Sequence, residues 1–259
     1  MAIDSMIKSR GAKILVAPLA LAYAVMWVGG IGSHLLHGGP PAHMWWAAPV
    51  FLALAGLILL VTSNAGEIRA LVAAAAIGVA SEVVGVRYGF LYGEYAYTDA
   101  LRPLVFGVPL VMASAWMVLA AYVRQVVSYI RLPAWAEVTA ASLWMTAIDL
   151  VIDPLAAGRL GYWRWVEGGR YYGIPARNFL GWFIVSFLIF SLIGVLEGGR
   201  RRANPWARLI GLSIVVFFTA IALIHGLMLA VSAGATLCVL DLAAARLPAR
   251  IKAMRVSSR

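Results

Sequence analysis

Apolar runs near or above the ~18 to 20 residues that cross the hydrocarbon core of a bilayer recur from residue 14 to residue 245, and the polar stretches between them are too short to fold as a soluble domain. Lipid offers the backbone no hydrogen bonds, so runs of this length form helices, which satisfy their own. The chain is 63% hydrophobic and 12% charged, against about 45–50% and about 25% in an ordinary soluble domain. The expected fold is all-α: one integral membrane domain over residues 1–259, a polytopic bundle of about eight spans, multi-pass in the cell inner membrane.

Spans are expected at 14–36, 44–62, 70–86, 104–127, 134–153 and 179–196. The last apolar stretch, 209–245, is too long for one span and divides near His225-Gly226. The first has a basic head like a secretory signal, but its apolar run exceeds the roughly 7–15 residues of a signal core and reads as an uncleaved helix. Eight spans put fifteen of the 21 Lys and Arg in inside segments and six outside, whereas seven spans would put ten inside and eleven outside. Basic residues favour the cytoplasmic side, so eight spans with both termini cytoplasmic is preferred, and the Arg200-Arg201-Arg202 run marks the inner face. The net charge of +10 then reports topology and calls for no nucleic-acid partner. Cys238 is the one cysteine, which excludes an intrachain disulfide, a Cys metal cluster and a dithiol redox pair.

On this topology three acids fall near the outer ends of spans. Asp149 and Asp153 close the fifth, with Pro154 behind them as a break, and Glu82 lies about one turn from the end of the third. The i, i+4 spacing puts Asp149 and Asp153 on one helix face, one turn apart. A charge in hydrocarbon costs several kcal/mol, so intramembrane acids face a protein interior or a polar cavity and tend to act there. Two aromatic-rich segments flank them. Residues 87–103 hold Tyr92, Tyr95 and Tyr97 and are expected at the membrane interface, while 154–178 forms a long loop with Trp163, Trp165 and Tyr172 that leads to Asn178 and Trp182. Trp116 lies in the middle of the fourth span, whose first turns hold Pro109.

Acid and aromatic groups together suit one chemistry. Desolvation disfavours a carboxylate anion, so a carboxyl in an apolar setting keeps its proton and serves as a general acid. A second carboxylate orients or deprotonates water. Protonating an isolated alkene makes a carbocation, which tyrosine and tryptophan faces stabilise by roughly 2 kcal/mol when desolvated. Glu82, Asp149 and Asp153 are the catalytic candidates. Tyr92, Tyr95, Tyr97, Trp116, Trp163, Trp165, Tyr172, Asn178 and Trp182 are the substrate-binding candidates.

A structural role competes at each position. Asp149 and Asp153 could pair with Arg159 or Arg177 and fix the loop, Glu94, Asp99 and Glu167 suit ordinary interfacial pairing, and any one aromatic suits a membrane-interface belt. His34, His37 and His43 fit no helix-borne zinc pattern and His225 stands alone at a turn, so no metal is expected. No phosphate-binding loop, dinucleotide fingerprint or nucleophile elbow is present, and no cofactor is expected.

The ordered motifs, Glu82 followed by RYGFLYGEYAY, then IDLVIDP, GYWRW and YYGIPARNFLGW, resemble the polytopic carotenoid-biosynthesis hydratases of the γ-carotene and bisanhydrobacterioruberin type over about residues 80–182. The resemblance implies cofactor-independent addition of water to the terminal (ψ-end) double bond of an acyclic carotenoid such as lycopene, γ-carotene or a related polyene, leaving a tertiary alcohol. Membrane lipid is the other expected partner. A long polyene needs lateral access, so a groove between helices is expected. Residues 1–77 and 197–259 match no motif and are read as scaffold. Two other readings stay open: cyclisation or isomerisation of an isoprenoid through the same cation, and a proton-coupled transporter with acids spread through the membrane depth.

Overall fold

The computed structural model describes residues 2–130, 132–197 and 203–256. Among them are eight α-helices: α1 (Ala2–His37), α2 (Ala47–Thr62), α3 (Ala65–Tyr88), α4 (Met112–Val127), α5 (Ala134–Asp153), α6 (Ala176–Glu197), α7 (Pro205–Ile224) and α8 (Met228–Val256). Seven helical segments are long and apolar enough to cross a membrane, and the protein is an integral membrane helix bundle. The eighth helix, α4, has only 16 residues, yet twelve of them are buried and it packs against six of the other helices. It is the central post of the bundle. The division near His225-Gly226 holds, because α7 stops at Ile224 and α8 starts at Met228. Arg131, the Arg200–Arg202 run and Arg259, which contribute to the topology argument, lie outside the described residues.

Three expectations need correction. First, α4 starts at Met112 rather than 104, because Leu104–Val105 (β2) and Val108–Pro109 (β3) pair as a hairpin. Its turn residues, Phe106 and Gly107, both have positive φ, the backbone that a two-residue hairpin demands. Pro109 therefore sits in a strand and not in a helical first turn. Second, the third helix starts at Ala65 rather than 70, so Glu67 lies inside α3. Asn64 accepts from the Gly66 and Glu67 amides and receives Glu67 Oε2 on its own N–H at 2.9 Å, a capping box that starts the helix at Ala65.

Third, α5 ends at Asp153 as expected, but Pro154 does not open a loop. The chain continues from α5 through a π-helical turn, Pro154–Arg159, closed by the Leu160 N–H on the Leu155 carbonyl at 2.8 Å. Proline removes the amide that would have reached the Leu150 carbonyl. The Tyr171 hydroxyl donates to that carbonyl instead, at 2.7 Å. Burial pushes the Tyr171 phenol up to about 12, so it remains a donor at any ordinary pH.

The segments expected as interfacial loops also carry regular structure. Tyr95–Tyr97 (β1) pairs antiparallel with Trp163–Trp165 (β4), in the register Tyr95 with Trp165, Ala96 with Arg164 and Tyr97 with Trp163. Alternation along a strand puts the four aromatic residues on one face and leaves Ala96 and Arg164 on the other, where both are exposed.

Where α4 and α6 end and α7 begins, acids and arginines are paired across helices. Arg124 of α4 meets Glu197 of α6 at 2.6 Å, and Arg208 of α7 meets Asp241 of α8 at 2.6 Å, with Asp241 fully buried. Asn204 caps α7 through the Trp206 and Ala207 amides and also receives Gln125 Oε1 of α4 on its N–H at 2.7 Å. At the other end, His34 Nδ1 of α1 lies 3.0 Å from His225 Nε2, so the histidine expected to stand alone ties α1 to the α7–α8 turn.

Candidate active site

Glu82, Asp149 and Asp153 come together beneath the aromatic face of the β1–β4 ribbon. All three are buried, at 4%, 1% and 0% exposure. Among the described residues none has an arginine or lysine partner: Arg177 binds the Gly89 carbonyl at 2.5 Å and Glu167 at 3.5 Å. The structural pairing considered for Asp149 and Asp153 is not formed. Of the loop acids, Asp99 and Glu167 do pair with arginines, Asp99 with Arg102 at 2.6 Å.

Each carboxylate is held by neutral donors. Glu82 Oε2 accepts the hydroxyls of Tyr95 and of Tyr97, the latter at 3.0 Å. Asp153 Oδ1 accepts the indole N–H of Trp163 at 2.8 Å and, more weakly, that of Trp165 at 3.4 Å. Asn178, in the first turn of α6, donates through Nδ2 to Asp149 Oδ2 at 2.7 Å and to Asp153 Oδ2 at 2.8 Å. Asp153 thus takes three N–H donors, an arrangement for which the ionised carboxylate has the lone pairs. Full ionisation of all three acids would gather three negative charges in a nonpolar interior with no cation among the described residues to offset them, so the three are not ionised together. Burial, and next the nearby Glu82 carboxylate, push the phenols of Tyr95 and Tyr97 well above their ordinary value. They stay protonated donors.

Glycines make room for this assembly. A Cβ on Gly85 of α3 would strike the Tyr92 and Tyr95 rings, and one on Gly181 of α6 would strike Tyr92 and the Leu91 carbonyl. Tyr92 itself is fixed by Ser81, with the two hydroxyl oxygens 2.7 Å apart.

A cavity of about 20 Å³ lies between Glu82 and Asp153, lined also by Tyr92, Tyr95, Tyr97, Met112, Trp163, Trp165, Asn178 and Trp182. That volume suits a single water. The open groove expected for a polyene is not formed, because the aromatic side chains of the ribbon and Trp182 pack down over the acids. Three expected site residues do not border the cavity. Asp149 is behind Asn178. Trp116 stacks on Trp182, with centroids 4.5 Å apart and planes at 18°, and so backs the wall. Tyr172 is turned away, 40% exposed, its hydroxyl accepting the Leu229 N–H at 3.0 Å. Met112 was missed by sequence reading, since an apolar residue placed inside a presumed span carries no separate signal.

Residues 45–241 match the family described as carotenoid biosynthesis protein. The match reaches well past 80–182 and takes in α2, α7 and part of α8, so regions read as unmatched scaffold are part of the shared fold. Bisanhydrobacterioruberin hydratase of Haloarcula japonica is 35% identical over 159 residues, which cover 58% of this chain and 52% of that relative. The chain therefore spans about half the length of the relative it matches. No solved structure matches.

Proposed function

The chain belongs to the carotenoid biosynthesis protein family, and from that premise we propose that it adds water, without a cofactor, to the terminal (ψ-end) double bond of an acyclic carotenoid in the cell inner membrane, giving a tertiary alcohol. The observation that carries this is the small cavity lined by Glu82, Asp153 and tyrosine and tryptophan side chains. A relative named as a hydratase supports water as the second reactant.

Glu82 is the general acid. Its proton passes to the less substituted alkene carbon, the π electrons form the new C–H bond, and the positive charge falls on the tertiary carbon. The Tyr95 and Tyr97 hydroxyls already donate to Glu82 and hold the negative charge that proton transfer leaves behind. Faces of Tyr97, Trp163 and Trp182 attract the cation by roughly 2 kcal/mol in a dry site. Water bonds through oxygen to the cation while Asp153, oriented by Trp163, Trp165 and Asn178, takes a proton from it. Return of that proton across the cavity to Glu82 restores both acids, and the net change is addition of H and OH.

The test is expression in a bacterial host that accumulates lycopene or γ-carotene, with extracted pigments separated by chromatography and weighed by mass spectrometry. A pigment heavier by one water supports the proposal. A pigment of unchanged mass but altered spectrum, or no new pigment from protein verified in the membrane, overturns it.

A further inference from the structure

The three acids are not equivalent, and Asp149 is the odd one. Glu82 and Asp153 border the cavity, whereas Asp149, 1% exposed, does not. Asp149 Oδ2 accepts from Asn178 Nδ2, the same nitrogen that reaches Asp153. One amide nitrogen with two hydrogens therefore serves two carboxylates on successive turns of α5.

We propose that Asp149 is a positioning residue: it fixes the side-chain amide of Asn178 so that the second amide hydrogen is delivered to Asp153. A primary amide presents either its NH₂ or its carbonyl to a neighbour, and a half-turn of the group exchanges the two. With the carbonyl toward Asp153, two acceptors would face each other in a buried site, an arrangement that costs the hydrogen bond and leaves both groups unsatisfied. Asp149 accepts from the NH₂ through Oδ2 at 2.7 Å, and that bond is lost if the carbonyl is turned toward it, so the contact selects the NH₂ orientation. An asparagine at 149 would lose that selectivity, because its own amide satisfies either face of Asn178. Asp149 thus acts on the reaction only through Asn178, with no contact to pigment or water. The role assigned to Asp153 rests on the proposed hydration. The orientation of Asn178 does not.

Two experiments on the full chain in liposomes test it. In the first, kcat and KM on lycopene are measured for wild type, Asp149→Asn, Asn178→Ala and the double variant, with membrane levels matched. Asp149→Asn is expected to lower kcat about 10- to 100-fold, the usual cost of losing a group that orients a reacting one, with KM changed less than about twofold. The double variant is expected to be no slower than Asn178→Ala alone, because the two act as one unit. Asp149→Glu, which keeps a carboxyl oxygen to accept from Asn178, recovers part of the rate. Multiplying losses in the double variant, a KM effect without a kcat effect, or an unchanged Asp149→Asn enzyme would each overturn the proposal. Where Asp149→Asn fails to reach the membrane, Asp149→Ser takes its place in the same cycle.

The second needs no turnover. In protein labelled with ¹⁵N asparagine, the Asn178 side-chain signal, identified by its loss in Asn178→Ala, is expected to show both N–H protons protected from solvent exchange, and Asp149→Asn is expected to release at least one. Unchanged protection in that variant overturns the proposal even if the wild type hydrates lycopene. A wild type that makes no hydrated pigment overturns the proposed function, while this spectrum still decides the orientation of Asn178.

Discussion

The Tyr171 hydroxyl donates to the Leu150 carbonyl at 2.7 Å, the position that Pro154 leaves without its helical amide. The proline is thereby accommodated, and the chain passes from α5 into a π turn that carries it to β4. Tyr171→Phe removes the donor and leaves a carbonyl unpaired, for a loss of about 1 to 2 kcal/mol. Thermal unfolding in detergent should show the loss, together with reduced activity, since Asp153 immediately precedes the turn.

Glu82→Gln and Asp153→Asn keep shape and size while removing the proposed acid and the proposed base. Each is expected to lower turnover by about 10²- to 10⁴-fold at normal membrane levels, measured as hydrated pigment formed per unit protein. Full activity in either variant would remove that residue from the mechanism.

Tyr97→Phe deletes one of the two hydroxyls that hold Glu82 after it gives up its proton. The expected effect is on kcat, a fall of roughly tenfold for one charge-assisted hydrogen bond, with pigment affinity preserved because the ring remains. Because burial raises this phenol, it does not ionise at working pH, and the wild type should show no alkaline loss of activity from Tyr97 below about pH 10.

The contact between His34 and His225 predicts a pH effect at a distance from the acids. His225 is lowered from its ordinary 6.5, first by burial and then by Arg159. The folded protein therefore prefers the neutral ring. The stabilisation is fully present above about pH 6.5 and is lost as pH falls through the lowered folded value. Melting temperature in detergent should fall on acidification below that point, and His225→Gln should flatten the dependence.

Asp241→Asn strands Arg208 of α7 in a partly buried position. Breaking a buried pair costs about 3 to 5 kcal/mol. Arg208 is 26% exposed, so a cost at or below the lower end of that range is expected. The variant should melt earlier, yet the protein that does fold should turn over pigment at the normal rate, which separates scaffold from site.

Much of this architecture could be read from the chain because membrane helices announce themselves in hydropathy, and an acid within such a run is conspicuous. Residues 104–111 were misread for the same reason: Leu104, Val105, Val108, Leu110 and Val111 are as apolar in a hairpin as in a helix, and only Gly107 and Pro109 hinted at the turn. The alternation Tyr95-Ala96-Tyr97 and Trp163-Arg164-Trp165 was visible, but a strand's partner is not, and these are joined across more than sixty residues. The bond between Asn178 and two acids on another helix is a matter of packing that no spacing rule reports.

In the proposed hydration the ribbon also couples the two halves of the chemistry. Its first strand supplies both hydroxyls that hold Glu82, and its second supplies both indoles that hold Asp153. A cavity of water size must widen before a polyene end can enter, and a displacement of the ribbon during entry would slacken the grip on both carboxyls at once. On the proposed mechanism, proton donation and water activation would then both depend on the same ribbon contacts.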